Sequence, residues 1–548
     1  LPFTDDPMPR FPMRAPASFP VLAVAAFALA VITMPSNAQG SAAPTSPAAT
    51  LLAERLRPIL DRPEFRHAVW GIDFYSLDDG RPVFTMNQDQ LFIAASTTKL
   101  LTVGTALRLL GPDYRFHTKV YRTGTINAAG TLTGDLVLVA SGDLNLSGRI
   151  QPGDTLGYTN EDHAYDADPS TRAVPGDPLL VIRQLAQQVA ERGVKRITGR
   201  VLVDVSMFKE GTRELGTGVV MSPVVVNDNL VDLTIGPSAS VGAPTTVAIS
   251  PPTSYVRFVN RSTTAAAGTT PHITWSSDVT APDGSHTVTI AGVFPAGTPA
   301  ILYSYAVPEP SRFAEVALVE ALRAKGITVG MPTAAAQRAF RSTPGAYIAS
   351  NVVAEHVSPT LAEEAKVTLK VSQNLHASSM PMILKAILAR DDTARTGFDL
   401  ERGILQQAGL DLGGAQQSDG AGGDARFSPD FMVHYLAYMA TQKDGALFER
   451  ALPVLGRDGT LWNIQPNSPA AGHVHAKTGT LSGYDALNRQ LLVTAKGLGG
   501  YYTSPAGRRY ALSIYVNNVS VPLDQAATTR VVGQALGEVA AAAYVTLP

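Results

Sequence analysis

The sequence predicts an α/β (α+β) domain split by a β-rich insertion. Three observations predict it. Helical and strand periodicities follow one another closely at both ends of the chain, from Leu51 to Leu110 and again after Val352. Between about Tyr114 and Arg341, short strand-like runs separated by Gly, Pro, Asn and Asp dominate. Finally, 548 residues exceed what one core organises, and usual domain sizes suggest roughly two to four domains. The expected boundaries are a leader at 1–38, a linker at 39–49, the first part of the split domain at 50–115, the insertion at 116–345 and the second part at 346–548.

The first fifty residues stand apart. Met13-Arg14 opens a short basic start, the run from Phe19 to Met34 (FPVLAVAAFALAVITM) is apolar, and Ser36-Asn37-Ala38 supplies the small residues a signal peptidase reads. A secretory signal cut near Ala38 is expected. The alternative, an uncleaved anchor helix, needs roughly 20 apolar residues, and this run is shorter and holds Pro20. Residues 1–12 carry acidic residues ahead of the basic region, with Met8 and Met13 as candidate starts. No later run is long and apolar enough to span a bilayer, so a periplasmic protein with at most peripheral membrane association is expected.

Beyond the Ala/Ser/Pro-rich linker, Leu51 to Ile59 reads as a helix, HAVWGIDFYSL as a strand, Asp78-Asp79-Gly80 as a turn and RPVFTMN as the hairpin partner. Ile93 to Leu110 is helical, with Leu100, Leu101, Val103, Leu107 and Leu110 on an apolar face, and ends at Gly111-Pro112. The insertion contains strands such as HTKVYRTG, NLVDLTIGP and AILYSYAV and two helices, PLLVIRQLAQQVAERG and PSRFAEVALVEALRAKG. Helices return with PTLAEEAKVTL, NLHASSMPMILKAILAR, DLERGILQQAGL and SPDFMVHYLAYMATQ. Four strands (HVHAKTGT, QLLVTAKGL, GGYYTS, RRYALSIYVN) and a last helix close the chain.

Composition narrows the function classes. Apolar residues make up 45% and charged residues 16%, which is globular, and a formal net charge of -2 gives no footprint for nucleic acid. There is no cysteine, so disulfides, thiolate metal sites and cysteine nucleophiles are excluded together. Gly-x-Ser-x-Gly, His-Glu-x-x-His and phosphate-loop patterns are missing from the sequence.

Three short motifs carry candidate chemistry. Ser96-Thr97-Thr98-Lys99 falls in the first turn of a predicted helix, where residues three apart share a face. A serine hydroxyl is a poor nucleophile until a base takes its proton, and an amine serves only if burial or a second cation lowers its pKa. Ser206-Met207-Phe208-Lys209 repeats the spacing after a strand and before Glu210-Gly211, and reads as a structural loop. Ser372-Gln373-Asn374 opens a helix, and Lys477-Thr478-Gly479-Thr480 sits on a strand. Each also has a plain reading: Ser96 and Ser372 as helix caps, Asn374 as a turn residue, Lys477 as a solvated strand lysine.

In that order the three are the signature of β-lactamases and penicillin-binding proteins. With 276 residues from Ser96 to Ser372 and 105 from there to Lys477, the chain resembles the class C penicillin-binding proteins, the D-alanyl-D-alanine carboxypeptidase/endopeptidase family. GDLVLVASGDLNL, ITGRVLVDVSMF, LKVSQNLHA, SDGAGG, LPVLGRDGTL and AKTGTLSGYDAL also look like that family's. The resemblance implies a penicillin-recognising serine transpeptidase-like domain that cleaves D-Ala-D-Ala, and crosslinks to meso-diaminopimelate, in peptidoglycan stem peptides. It implies Ser96 as nucleophile, Lys99 as its base, and Ser372 with Asn374 as the relay to the leaving D-alanine. Lys477 would hold positive charge beside Ser372, while Thr478 and Thr480 bind the substrate carboxylate and Gly479 keeps the strand edge open. The backbone N–H groups of Ser96 and Thr480 would form the oxyanion hole. β-Lactams would be covalent inhibitors; no cofactor or metal is called for.

Some positions depart from that pattern. Gln373, His376 and Ser378-Ser379 stand where the family carries an acid, and His376 reads as a helix-surface or packing residue. Ala421 replaces a common serine, and about ten extra residues, NRQLLVTAKG (488–497), precede GGYY and are expected to reshape one rim of the cleft. Two other readings remain open on sequence: a related serine esterase or β-lactamase, and an inactive wall-binding scaffold.

Overall fold

The computed structural model describes residues 46–331 and 333–548; the expected signal segment and most of the linker lie outside them. A six-stranded sheet is assembled from both ends of the chain. Its order is Arg81–Met86, Val69–Ser76, Arg509–Asn517, Gln490–Thr503 and Val474–Asp485, with Val519–Val521 also on Gln490–Thr503. All pairings are antiparallel. The strand Arg509–Asn517 shows why the sheet is buried on both faces. Tyr510, Leu512, Ile514 and Val516 join one core with Leu52 and Leu56 of the helix Pro47–Leu60 and Leu536 and Val539 of the helix Gln534–Thr546. Ala511 and Tyr515, on the alternate face, join another with Leu100, Phe431 and Met432.

That second face carries the helix Lys99–Leu110, whose residues 99–107 are all buried, and the helix Pro429–Thr441. Asn374–Leu388 and Gly397–Gln407 pack beside them. Gly111, at φ 84, ends the first of these helices in a backbone conformation that a side chain disfavours.

QLLVTAKGL and GGYYTS, read as separate strands, form one 14-residue strand. Its glycines are not turn signals: a Cβ on Gly500 would lie 2.1 Å from the His475 carbonyl, so glycine there permits close strand approach. The strand His272–Thr280 was not anticipated, because its inward and outward residues do not alternate cleanly in polarity.

The insertion has its own core. One sheet runs Val201–Asp204, Leu136–Val139, His117–Arg122 and Val352–Val357; a second, Thr246–Ser250, Leu230–Gly236 and Ile301–Ala306; a third is built around His286–Pro295. The helices Leu180–Glu191 and Pro310–Ala324 fall where they are predicted. Val352–Val357, expected in the second part of the split domain, instead pairs antiparallel with His117–Arg122. No helix among the described residues is long and apolar enough to cross a membrane.

Candidate active site

The serine of the first motif sits in a tight 3-10 turn, Ala95–Thr98, that runs into the helix Lys99–Leu110. The sequence predicts one continuous helix from Ile93; the structure replaces its first turn with this tighter one. Ala95 has φ 47, a left-handed conformation rare for a residue with a side chain and typical of functional sites. Thr97 and Thr98 donate their hydroxyls to the carbonyls of Ala94 and Ala95, each at 2.8 Å, and so lock the turn. The SDGAGG loop closes over it: Gly422 comes so near that a Cβ would lie 1.9 Å from the Ala95 carbonyl. Asp419 holds that loop by accepting from the backbone N–H groups of Ala421, Gly422 and Gly423 at 2.7–2.8 Å.

Within this frame Lys99 Nζ lies 2.7 Å from Ser96 Oγ, 2.6 Å from Asn374 Oδ1 and 3.3 Å from the Ala421 carbonyl. Ala421 therefore serves through its backbone, and the loss of a serine side chain leaves this contact intact. The Lys99 amine is completely buried. Burial pulls it down to about 7, against the carboxylates of Glu214 and Asp419, which pull it up.

Ser372 has φ 63 just before the helix Asn374–Leu388, and its hydroxyl accepts from Lys477 Nζ at 2.8 Å. Lys477 also donates to the Thr478 carbonyl at 2.7 Å. The surroundings of Lys477 work against the positive charge expected there. Burial, compounded by the nearby cations Lys99 and Lys496, holds this amine well below the usual lysine range. A Cβ on Gly479 would sit 2.4 Å from the Ala94 carbonyl, so glycine there lets the edge strand pack against the Ser96 turn.

Ser96, Ser372, Asn374, Thr478 and Thr480 line one cleft of about 470 Å³. Thr478 Oγ1 donates to Thr460 Oγ1 at 2.7 Å, and Lys496 Nζ donates to Thr480 Oγ1 at 2.7 Å. All eight site residues singled out in the sequence thus converge: five line the cleft, Lys99 and Lys477 are hydrogen-bonded to lining residues, and Gly479 packs directly behind. The second serine–lysine spacing does not join them: residues 206–209 lie in turn and coil.

Several cleft residues were not singled out. Lys496 comes from the extra segment, opposite Thr480 in the hairpin register. Glu161, Tyr165, Leu215 and Gly216 come from the insertion. Tyr165 donates its hydroxyl to the Ser372 carbonyl. Only the hairpin register would have pointed to Lys496, and nothing local marks the others.

Of the two readings of His376, helix-surface or packing residue, the structure supports the second, for the side chain is fully buried. Its ring lies 3.0 Å from both Glu364 and Asp228 and is raised to about 9 by these carboxylates, which outweigh its burial. Asp228 also pairs with Arg149 and His163, and Gln373 Nε2 donates to Asp162 Oδ1 at 3.1 Å. Asp162, His163 and Asp228 approach as metal ligands could, but Arg149 pairs with both carboxylates and supplies the cation. The acid absent from the second motif is thus delivered by the insertion.

Comparison with known proteins places this geometry. Residues 52–537 match the model of the family described as "D-Ala-D-Ala carboxypeptidase 3 (S13) family". A D-alanyl-D-alanine carboxypeptidase of Actinomadura sp. is 26% identical over 496 residues, covering 86% of this chain and 82% of the relative. The D-alanyl-D-alanine carboxypeptidase DacB of Haemophilus influenzae is 22% identical, covering 81% and 84%. The crystal structure of penicillin binding protein 4 from Haemophilus influenzae superposes with a TM-score of 0.67 at 19% identity, covering 90% of this chain and 99% of that one.

Proposed function

This chain belongs to the D-Ala-D-Ala carboxypeptidase 3 (S13) family and is a serine-type D-Ala-D-Ala carboxypeptidase, and from that premise we propose that Ser96 is the residue it acylates. The observation that carries the assignment is the contact of Ser96 Oγ with a buried amine at 2.7 Å whose pKa lies near 7. An amine poised there is partly unprotonated at neutral pH and can take the serine proton as the bond to the carbonyl carbon forms.

The remaining steps use the second pair. The tetrahedral oxyanion is held by the backbone N–H groups of Ser96 and Thr480, an arrangement worth roughly 3 to 4 kcal/mol per donor in acyl transfer. Collapse breaks the C–N bond as the proton Lys99 took from Ser96 passes by way of the Ser372 hydroxyl, which Lys477 holds in place, to the leaving D-alanine nitrogen, so that Lys99 is unprotonated again; Asn374 Oδ1 accepts from Lys99 and positions that amine. Water then hydrolyses the ester on Ser96, with Lys99 again accepting a proton. Thr478 and Thr480 bind the terminal carboxylate.

The substrates are proposed to be peptidoglycan stem peptides, including crosslinks to meso-diaminopimelate, and β-lactams to acylate Ser96 as inhibitors. The apolar run ahead of residue 38 and the wall substrate support a periplasmic location. The catalytic domain is taken as the six-stranded sheet with its two helical layers, drawn from 46–115 and from about residue 358 onward, and the insertion as the segment between.

Labelling with a fluorescent penicillin tests the assignment. Ser96→Ala is expected to abolish labelling with little change in melting temperature, because a small, partly exposed hydroxyl contributes little to stability, and Ser206→Ala to leave labelling intact. Labelling that survives Ser96→Ala but vanishes in Ser206→Ala overturns it. A wild-type chain that stays dark favours the inactive scaffold, and rapid turnover of the penicillin adduct favours a β-lactamase. Digestion of crosslinked peptidoglycan separates carboxypeptidase from endopeptidase action, through freed D-alanine and separated dimers.

A further inference from the structure

Three lysine amines surround the cleft, and their hydrogen bonds distinguish them. Lys99 is engaged by Ser96, Asn374 and Ala421, and Lys477 by Ser372 and the Thr478 carbonyl. Lys496 makes one hydrogen bond, to Thr480 Oγ1, which leaves two of its three N–H donors unspent. Its side chain lines the cleft beside Thr478, Thr480 and Ser482, yet the residue is only 9% exposed. The strand register sets it directly opposite Thr480. A buried ammonium with unspent donors at a cleft wall is suited to an anionic ligand.

We propose that Lys496 is a specificity-determining residue that binds, together with Thr480, the carboxylate adjacent to the scissile amide, that of the leaving D-amino acid. This rests on the assignment of Ser96 as the acylated serine. Lys477 is poorly suited to the task because its amine is already engaged by the Ser372 hydroxyl and the Thr478 carbonyl. Lys496, although burial lowers it to about 8, is kept protonated at neutral pH with the help of Glu161. Glu161 itself is turned toward the Trp462 indole, which donates to its Oε1 at 3.2 Å. The segment 488–497, by which the chain departs from its resemblance, thereby lengthens the hairpin and carries this cation into the cleft.

The test compares two peptides, identical except that one ends in D-Ala-D-Ala with a free carboxylate and the other in the corresponding carboxamide. Wild type is expected to prefer the carboxylate in kcat/KM by about 10- to 100-fold, the range of a charge-assisted hydrogen bond. In Lys496→Met that preference should collapse to within about threefold, with the greater part of the loss on the carboxylate peptide, whereas Lys496→Arg should keep much of it. A Lys496→Met enzyme that retains the full preference overturns the proposal. So does a wild type that cleaves both peptides equally, a result independent of whether the variant folds. If wild type cleaves neither peptide and takes up no penicillin, it is the Ser96 assignment that fails first.

Discussion

Two serine–lysine pairs line the same cleft with nearly the same geometry and opposite electrical surroundings. Ser96 and Lys99 lie 2.7 Å apart, Ser372 and Lys477 2.8 Å, and both amines are fully buried. Lys99 faces the carboxylates of Glu214 and Asp419, which offset part of its desolvation and leave it near 7. Lys477 is held well below the usual lysine range by its burial, and the cations Lys99 and Lys496 beside it add to that effect instead of offsetting it. A base must hold the proton it takes, so the pair with carboxylates behind it suits nucleophile activation, and the other suits passing a proton onward. Distance alone does not separate the two roles. Charge beyond the first contact does.

The largest test of that contrast removes the second hydroxyl. Ser372→Ala is expected to slow acylation by fluorescent penicillin by about 10²- to 10⁴-fold, the usual cost of a general acid–base group, yet leave slow labelling at Ser96 that a long incubation detects. Complete loss in Ser372→Ala would erase the distinction between the pairs.

A smaller effect concerns the buried network of acids and histidines behind Ser372. His376 has its folded pKa raised from 6.5 to about 9. Its contribution to stability is therefore full below about pH 6.5 and is lost as pH rises to and through about 9. Thermal melts across that window should show a decline on the order of 1 to 3 kcal/mol, reduced in His376→Gln, where the raised His163 of the same network still titrates. A wild type equally stable at both ends of the window would show that the network is not charged as described.

Smallest is the carboxylate effect on Lys99. Glu214 raises this amine, so Glu214→Gln should let it fall further. The acid limb of the kcat/KM profile should then move to lower pH by less than about one unit. A shift to higher pH would contradict the account of why the two lysines differ.

Much of this site was legible in the residues themselves. The spacing of Ser96 and Lys99 survives the change from α-helix to 3-10 turn, because either geometry sets residues three apart on one side. The Ser206–Lys209 copy could be set aside because a strand precedes it. Lys496 could not be read, since its role depends on which residue lies across a hairpin, and register is a property of pairing rather than of spacing. His376 could be read as either a surface or a packing residue, and only the closure of Glu364 and Asp228 around it decides between the two.

By itself the sequence determined the elements and the order of the three motifs, because periodicity, turn residues and short spacings act within a few residues of one another. Only the tertiary structure decided the lowered proton affinities of three buried lysines and the supply of Asp162, Glu161 and Lys496 from other segments. Desolvation and Coulomb interaction depend on distance through space, and the chain brings together at this cleft charges that are hundreds of residues apart.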